Sequence, residues 1–355
     1  MTTKSRQIAE PAPLVEVRRG AIVESRHRGH VVAVDNRGAV IARLGQPEVA
    51  TFLRSSAKPF QAVPLVATGA ADRFQFTEKE IAIACASHNG EAIHTETVAG
   101  MLQKIGLPAS ALKCGVHEPF SAEVTAELRA AHKRPTVLHN NCSGKHTGML
   151  ALTLHLGAPT ETYDQMENPV QQLILRSVSE FSGVSEKEIA LGVDGCGAPV
   201  FGVPVTAMAL MYARLAATPE DFGTLEVRRA AARIFRAMTT HPEIVGGRAE
   251  RLDTKVMQAG RGAIVSKVGA EGVYTAGIFA SKDWPRGLGI ALKIEDGEDR
   301  RSRPTVVIET LRQLGLLDDE ALAELEPYSR FAVRNHRGDE VGEVRASFEL
   351  EKHQG

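Results

Sequence analysis

The segments Arg54-Ser55-Ser56-Ala57-Lys58, Ser87-His88-Asn89 and Lys267-Val268-Gly269 decide how this sequence is interpreted. Ser55 precedes Lys58 by three residues, and Ser87 follows Ser55 by 32. Positions i and i+3 share one face of a helix, so Ser55 and Lys58 can touch there. A serine hydroxyl needs a base within hydrogen-bond reach to act as a nucleophile, and a lysine that has lost its proton can be that base. The three segments therefore predict acyl transfer through a serine.

The order of these segments matters more than any one of them. They read Ser-x-x-Lys, Ser-x-Asn and Lys-x-Gly, the motif order of penicillin-binding proteins and serine β-lactamases. A chain of ordinary composition carries roughly one Ser-x-x-Lys by chance. A second one is present here, Ser110-Ala111-Leu112-Lys113, and its place after a Gly-Leu-Pro turn indicates a helix surface. The spacing from Ser55 to Ser87 is shorter than in penicillin-binding proteins, which argues against penicillin as substrate.

Composition excludes several classes of function. The chain has 355 residues, 43% of them hydrophobic, and a net charge of −1, which gives no basis for binding nucleic acid or an anionic membrane. No apolar run approaches the length of a membrane span, and the polar N-terminus does not resemble a signal peptide. Four cysteines do not form a disulfide framework, so we expect reduced thiols and a cytoplasmic protein.

The pattern along the chain predicts a mixed α/β fold of the α+β type. Residues 31–42 read as a β-hairpin around Asp35-Asn36-Arg37-Gly38, beside an earlier strand at 14–17. Helices are expected through most of 58–173 and at 204–217, 225–240 and 304–314. Strands are expected at 263–268, 272–280, 288–294, 331–334 and 341–348.

Strands at both ends of the chain around a helical middle predict one antiparallel sheet flanked by helices, with a helical lobe. Residues 1–13 are expected to be a disordered tail, and residues 14–350 a single catalytic domain. Its sheet lobe comprises 14–57 and 260–350, and its helical lobe comprises 58–259. The catalytic segments would meet between the two lobes.

Two loops add candidate binding residues. Asn140-Asn141-Cys142-Ser143-Gly144-Lys145-His146 precedes an apolar helix, and Asp194-Gly195-Cys196-Gly197 is rich in glycine. Cys142, Cys196 and His146 could bind zinc if the loops converge, although spacing alone favours two separate buried thiols. Cys85 and Cys114 are expected to be structural thiols.

At these residues the sequence resembles the rhizobial-type (class 3) L-asparaginases of the asparaginase II family. The segments that resemble that family are Arg54-Ser55-Ser56-Ala57-Lys58-Pro59-Phe60, Ala86-Ser87-His88-Asn89-Gly90-Glu91, the two loops above, and Lys267-Val268-Gly269-Ala270-Glu271-Gly272-Val273-Tyr274. The resemblance implies a serine β-lactamase-like fold, a homodimer, and hydrolysis of L-asparagine to L-aspartate and ammonia. It also implies that Ser55 pairs with Lys58, that Ser87 pairs with Lys267, and that Cys142, Lys145 and Cys196 bind zinc near the site.

The resulting hypothesis is a covalent mechanism, with Ser55 favoured over Ser87 as the nucleophile. Arg54 suits the α-carboxylate of the substrate, Asp194 suits its α-ammonium, and His146 could hydrogen-bond to either. Each of these three could instead only stabilise its loop. A glutaminase or other amidase on the same fold is one alternative. A non-catalytic sensor of an amino acid or metal is another, which the two serines and two lysines argue against.

Overall fold

The computed structural model describes residues 10–249 and 251–353. Most of the predicted tail, residues 1–9, lies outside the described part of the chain. The first strand begins at Ala12, and Leu14 and Val15 are fully buried. This strand therefore starts two residues before the predicted boundary at residue 14.

The β-strands are β1 (Ala12–Arg19), β2 (Ile22–Val34), β3 (Val40–Leu44), β4 (Ala50–Phe52), β5 (Ala190–Val193), β6 (Pro199–Pro204), β7 (Ile264–Val268), β8 (Val273–Ile278), β9 (Leu288–Ile294), β10 (Phe331–Arg334), β11 (Glu340–Ala346) and β12 (Glu351–Lys352). The α-helices are α1 (Lys58–Ala67), α2 (Ala70–Arg73), α3 (Glu78–Ala84), α4 (Ala92–Ile105), α5 (Ala122–Ala130), α6 (Ser143–Leu156), α7 (Pro169–Ser182), α8 (Val205–Ala216), α9 (Leu225–Thr240), α10 (Pro242–Val245), α11 (Leu252–Ala259), α12 (Ser302–Gln313) and α13 (Asp319–Ser329). Short 3₁₀ turns connect several of them.

A nine-stranded antiparallel sheet forms the centre of the molecule, which confirms the predicted fold class. Its order is β10-β11-β1-β2-β9-β8-β7, with β3 beside β2 and β12 beside β3. The predicted hairpin is β2–β3, in which Val31 pairs with Leu44 and Ala33 with Ala42. Asp35 stabilises its turn because the carboxylate accepts the backbone N–H groups of Arg37 and Ala39.

The continuous apolar run in β2 is explained by burial on both faces of this sheet. Val32 and Val34 belong to one hydrophobic core, which lies against the helical lobe, and Val31 and Ala33 belong to a second core under α11, α12 and α13. Successive side chains of a strand point to opposite faces, so a strand between two cores is apolar at every position.

A second sheet of three strands, in the order β4-β6-β5, was not predicted. It joins β4, from the predicted sheet lobe, to β5 and β6, which lie inside the span predicted to be helical. The Asp194-Gly195-Cys196-Gly197 loop is the turn between β5 and β6. This small sheet places that loop next to Arg54, which follows β4 along the chain.

Helix boundaries follow the local signals in the sequence. Gly69, Gly106 and Gly157 all have positive φ, and each separates or ends helices as predicted. Thr77 and Glu80 form the predicted capping box at the start of α3, which satisfies two backbone N–H groups there. No helix in the described part of the chain is long and apolar enough to cross a membrane.

Candidate active site

The Ser-x-x-Lys segment lies at the start of α1. Ser55 and Ser56 belong to a 3₁₀ turn, and Lys58 is the first residue of the α-helix. Ser56 is buried and donates to Leu53 O at 2.6 Å, whereas Ser55 is half-buried. Among the described residues, the Ser55 hydroxyl forms no hydrogen bond. A reacting group could therefore approach Ser55 without displacing an existing partner.

Lys58 connects three of the predicted motifs. Its side chain is 1% exposed, and its Nζ donates to Ala86 O at 2.6 Å, Asn141 O at 3.3 Å and Ser87 Oγ at 2.9 Å. All three ammonium hydrogens thus have partners. Two carbonyl groups from separate loops hold the amine against Ser87.

This bond differs from the pairing that the resemblance implied. That pairing joined Ser55 to Lys58 and Ser87 to Lys267, but here the lysine beside Ser87 is Lys58. The Lys267 amine contacts other groups. The difference arises because the ammonium of Lys58 is fixed by the backbone carbonyls behind Ser87.

Lys267 is fully buried near the end of β7. Its Nζ lies 3.3 Å from Asp253 Oδ2 and 3.0 Å from Val268 O. Burial lowers the pKa of Lys267 to about 8, against the opposing attraction of Asp253; the positive charges of Lys58 and Arg251 lower it further. This lysine can therefore lose its proton in mildly alkaline solution.

Two glycines allow the motifs to approach one another. A Cβ on Gly269 would lie 2.7 Å from Leu53 O, two residues before Ser55. A Cβ on Gly144 would lie 2.3 Å from Ile83 O, so α6 can begin directly against α3. The glycine of the Lys-x-Gly motif and the glycine of the Cys142 loop are thus explained by close backbone approach.

Arg54 and Asp194 form an ion pair with each other. Arg54 Nε donates to Asp194 Oδ1 at 3.0 Å, and its Nη1 lies 3.8 Å from Glu271 Oε1. Arg54 has φ of +51°, a left-handed conformation that is uncommon for arginine and is often found at functional sites. Burial raises the pKa of Asp194, but the charge of Lys145, the Gly195 N–H and Arg54 outweigh it and lower that pKa.

Cys142, Lys145 and Cys196 converge in a buried cluster. Lys145 Nζ donates to Cys196 Sγ at 3.0 Å, and Cys142 Sγ donates to Asn141 Oδ1 at 2.9 Å. The neighbouring Cys196 thiol lowers the pKa of Cys142 well below its ordinary value, despite burial. Burial lowers the pKa of Lys145, but the attraction of the two sulfurs outweighs it and raises that pKa.

His146 does not complete this cluster as the spacing suggested. In the part of the chain that the structure describes, no three His, Cys, Asp and Glu side chains are arranged to hold a metal. His146 is fully buried, and its Nδ1 lies 2.7 Å from the hydroxyl of Tyr163. Its Nε2 has no hydrogen-bond partner among the described residues. Burial lowers the pKa of His146 to about 4, so the ring is neutral.

The Lys113 side chain of the second Ser-x-x-Lys makes none of these contacts, whereas Cys85 and Cys114 lie close enough for the charge of Lys58 to act on them. Lys113 of the second Ser-x-x-Lys contacts Asp164 at 3.3 Å and leaves Ser110 in a separate 3₁₀ turn. Cys85 and Cys114 are buried free thiols, and burial raises the pKa of each to about 12. A cavity of about 400 Å³ lies at the opposite end of the sheet, beside Trp284.

Sequence reasoning missed Asp253, which contacts Lys267. A signal was present. Asp253 lies on α11 three and four residues before Val256 and Met257, so it shares their buried face. A carboxylate on the apolar face of a short helix indicates a buried partner of opposite charge.

Two serines and two buried lysines on this α+β fold are typical of enzymes that transfer acyl groups. A family model described as L-asparaginase II matches residues 15–346. The chain belongs to the L-asparaginase II family.

Solved structures show only distant similarity. A probable glutaminase from Bacillus subtilis complexed with 6-diazo-5-oxo-L-norleucine is 14% identical, with 81% of this chain and 85% of that chain covered and a TM-score of 0.37. A β-lactamase from Burkholderia vietnamiensis is 13% identical, with 85% and 92% covered and a TM-score of 0.35. Comparison with curated proteins found no match. At these TM-scores the structural similarities carry no argument about activity.

Proposed function

We propose that this protein is an L-asparaginase that hydrolyses L-asparagine to L-aspartate and ammonia through a serine acyl-enzyme. The observation that carries this proposal is the hydrogen bond from the buried ammonium of Lys58 to Ser87 Oγ, at the start of the helix that follows Ser55. Family membership supports the reaction class.

Ser55 is the proposed nucleophile. It is half-buried and its hydroxyl is free to meet substrate, whereas Ser87 is 3% exposed and already bonded to Lys58. Ser55 Oγ attacks the side-chain amide carbon and gives up its proton to a lysine amine. The C–N bond then breaks, and the amide nitrogen leaves as ammonia after receiving a proton through Ser87 and Lys58. Water hydrolyses the resulting ester and restores Ser55.

Lys267 is the proposed second base of the site. Its low pKa, about 8, makes a neutral amine available under mildly alkaline conditions. A general base works best when its pKa is near the working pH. The positive charge of Lys58 contributes to the low pKa of Lys267.

The Arg54–Asp194 pair is the proposed receptor for the two charges of an amino acid. Arg54 keeps guanidinium N–H groups for the α-carboxylate, and Asp194 keeps Oδ2 for the α-ammonium. His146 is buried behind Cys196, so we propose that it supports the thiols rather than the substrate.

The residues at the cysteine cluster fit a zinc ion. Two sulfurs and one amine nitrogen are donors that zinc accepts, and the lowered pKa of Cys142 favours the thiolate form that binds zinc. Cys142, Lys145 and Cys196 would hold the ion, and Lys145 would have to lose its proton to do so. Zinc would supply positive charge beside Asp194 that helps position substrate. The resemblance further supports a homodimer, and the four free cysteines support a cytoplasmic location.

The test is ammonia release from L-asparagine and L-glutamine, compared as kcat/KM. One additional methylene in a pocket is worth about 1–3 kcal/mol, so we expect asparagine to be preferred by at least about tenfold. Equal or greater activity on glutamine would instead favour the broader amidase or glutaminase. Binding of amino acid by calorimetry with no ammonia released would favour the sensor.

A further inference from the structure

Asp253 is a fully buried carboxylate whose hydrogen bonds all come from consecutive residues of β7. Its Oδ1 accepts the Ser266 hydroxyl at 3.1 Å and the Val268 N–H at 2.8 Å. Its Oδ2 lies 3.3 Å from Lys267 Nζ. A buried charge is tolerated when it is paired and hydrogen-bonded, and this carboxylate meets both conditions.

The carboxylate fixes the direction of the Lys267 side chain. Successive side chains of a strand point to opposite faces, so Lys267 leaves β7 on the face opposite Ser266. Its amine nevertheless reaches the same carboxylate that Ser266 contacts, because β7 is the last strand on the path of the sheet. The long side chain of Lys267 bends around that edge, and its amine contacts Asp253.

The position of Asp253 is fixed in turn by Ser266 and Tyr274. Ser266 Oγ also lies 2.9 Å from the hydroxyl of Tyr274 on β8. Ser266 has one hydroxyl hydrogen, which it donates to Asp253, so Tyr274 donates to Ser266. Oδ1 of Asp253 therefore accepts two hydrogen bonds, and Oδ2 is left to accept one from Lys267.

The charged groups around Lys267 come from three elements. Asp253 faces it from α11, Arg251 precedes the same helix, and Lys58 faces it from α1; the thiol of Cys85 lies nearby and is neutral. Asp253 is thus the anion that offsets two cations. We propose that Asp253 is a positioning residue whose carboxylate holds the Lys267 amine at the active site. Its negative charge also opposes the loss of a proton from that amine. This inference rests on the proposed role of Lys267.

The test is Asp253→Asn, which keeps an oxygen for Ser266 and the Val268 N–H but removes the negative charge. A nearby opposite charge shifts a pKa by about 1–3 units, so the Lys267 titration should move down by about one unit or more. NMR of protein labelled with ¹³C at lysine Cε reports this directly, with the signal assigned by its loss in Lys267→Met. The acid limb of the kcat/KM profile should move in the same direction. An unchanged Lys267 titration overturns the proposal.

The matched control is Asp35→Asn, since Asp35 is also buried and accepts backbone N–H groups, but at the remote β2–β3 turn. It should leave the Lys267 signal unchanged, and an equal shift there would overturn a specific role for Asp253. The NMR titration does not depend on turnover. If wild-type protein released no ammonia, the proposed function would fail while the Asp253 pairing remained testable.

If Asp253→Asn does not fold, Lys267→Gln provides a second test. The buried carboxylate then has no cationic partner, so ionising it costs more in the folded state. Stability should therefore fall more steeply than in wild type as pH rises from about 5 to 8. Melting temperatures with the same pH dependence in both proteins would contradict the pairing.

Discussion

Lys58 and Lys267 are both buried lysines, but their surroundings differ. Lys58 donates to two backbone carbonyls and a serine. Lys267 has one carbonyl and one carboxylate, and two other cations lie near it. We therefore expect Lys267 to titrate within the working pH range.

We predict that activity rises with pH and remains high near pH 9. Burial and neighbouring cations lower the pKa of Lys267 to about 8, so the neutral base becomes available as pH passes through that value. The measurement is kcat/KM on L-asparagine from about pH 5 to 10, with melting temperature recorded at each pH to exclude unfolding. An acid limb near pH 4 with a fall above neutrality would point to a carboxylate base instead.

We predict that Cys196→Ser loses bound metal. Zinc prefers a thiolate to a neutral hydroxyl, so the amount of zinc bound per subunit should fall. If the metal helps to position the substrate, KM should rise by a larger factor than kcat falls. Elemental analysis of protein purified without chelator measures this, and Cys85→Ser, at another buried free thiol, is the control. Full zinc content in Cys196→Ser would place the metal elsewhere. No zinc in wild type would leave these cysteines as structural thiols.

At the scale of elements, α8 packs against the centre of the sheet at a glycine. A Cβ on Gly289 in β9 would lie 1.8 Å from Ala209 O and 2.5 Å from Ala213 N, both backbone atoms of α8. Neither can move without shifting the helix. This contact explains why a strand of apolar residues carries a glycine at its second position.

We predict that Gly289→Ala destabilises the protein by at least about 2 kcal/mol, because overpacking against backbone forces the helix off the sheet. Gly100→Ala is the matched control. Gly100 lies within α4 with no atom within 4 Å of an added Cβ, so alanine there should stabilise by about 0.5–1 kcal/mol. Urea unfolding of both variants gives the two free energies. A Gly289→Ala protein as stable as wild type would contradict the close packing.

Strong local signals predicted most elements, and weak ones did not. The hairpin around residues 35–38, the helices at 205–216 and 225–240, and β7 to β9 are confirmed close to their expected bounds. The three-stranded sheet was missed because β4 has three residues and β5 four, too few to show a period. Helix α13 was also missed; its Asp318 N-cap was a usable signal.

At the scale of the whole molecule, the site is formed by segments that are far apart in sequence. The motif residues could be named from sequence, but which lysine bonds which serine could not. That choice depends on carbonyl groups such as Ala86 O and Asn141 O, whose positions follow from the packing of α1, α3 and α6. The pairing of Asp253 with Lys267 depends on packing in the same way, since the two residues lie on different elements.

The proposed site consists of Ser55, Lys58, Ser87 and Lys267. Its central claim can be tested directly: one of the serines forms an acyl-enzyme with asparagine. Mass spectrometry of enzyme quenched in acid during turnover, together with an ammonia assay, measures this for wild type, Ser55→Ala and Ser87→Ala. We predict a β-aspartyl adduct on Ser55 in wild type, and a fall in kcat of at least about 10³ in each variant, because they belong to one catalytic unit. If Ser55→Ala kept more than about a tenth of the wild-type activity, Ser87 would be the nucleophile instead. No ammonia from asparagine, glutamine or a β-lactam reporter would contradict the whole account.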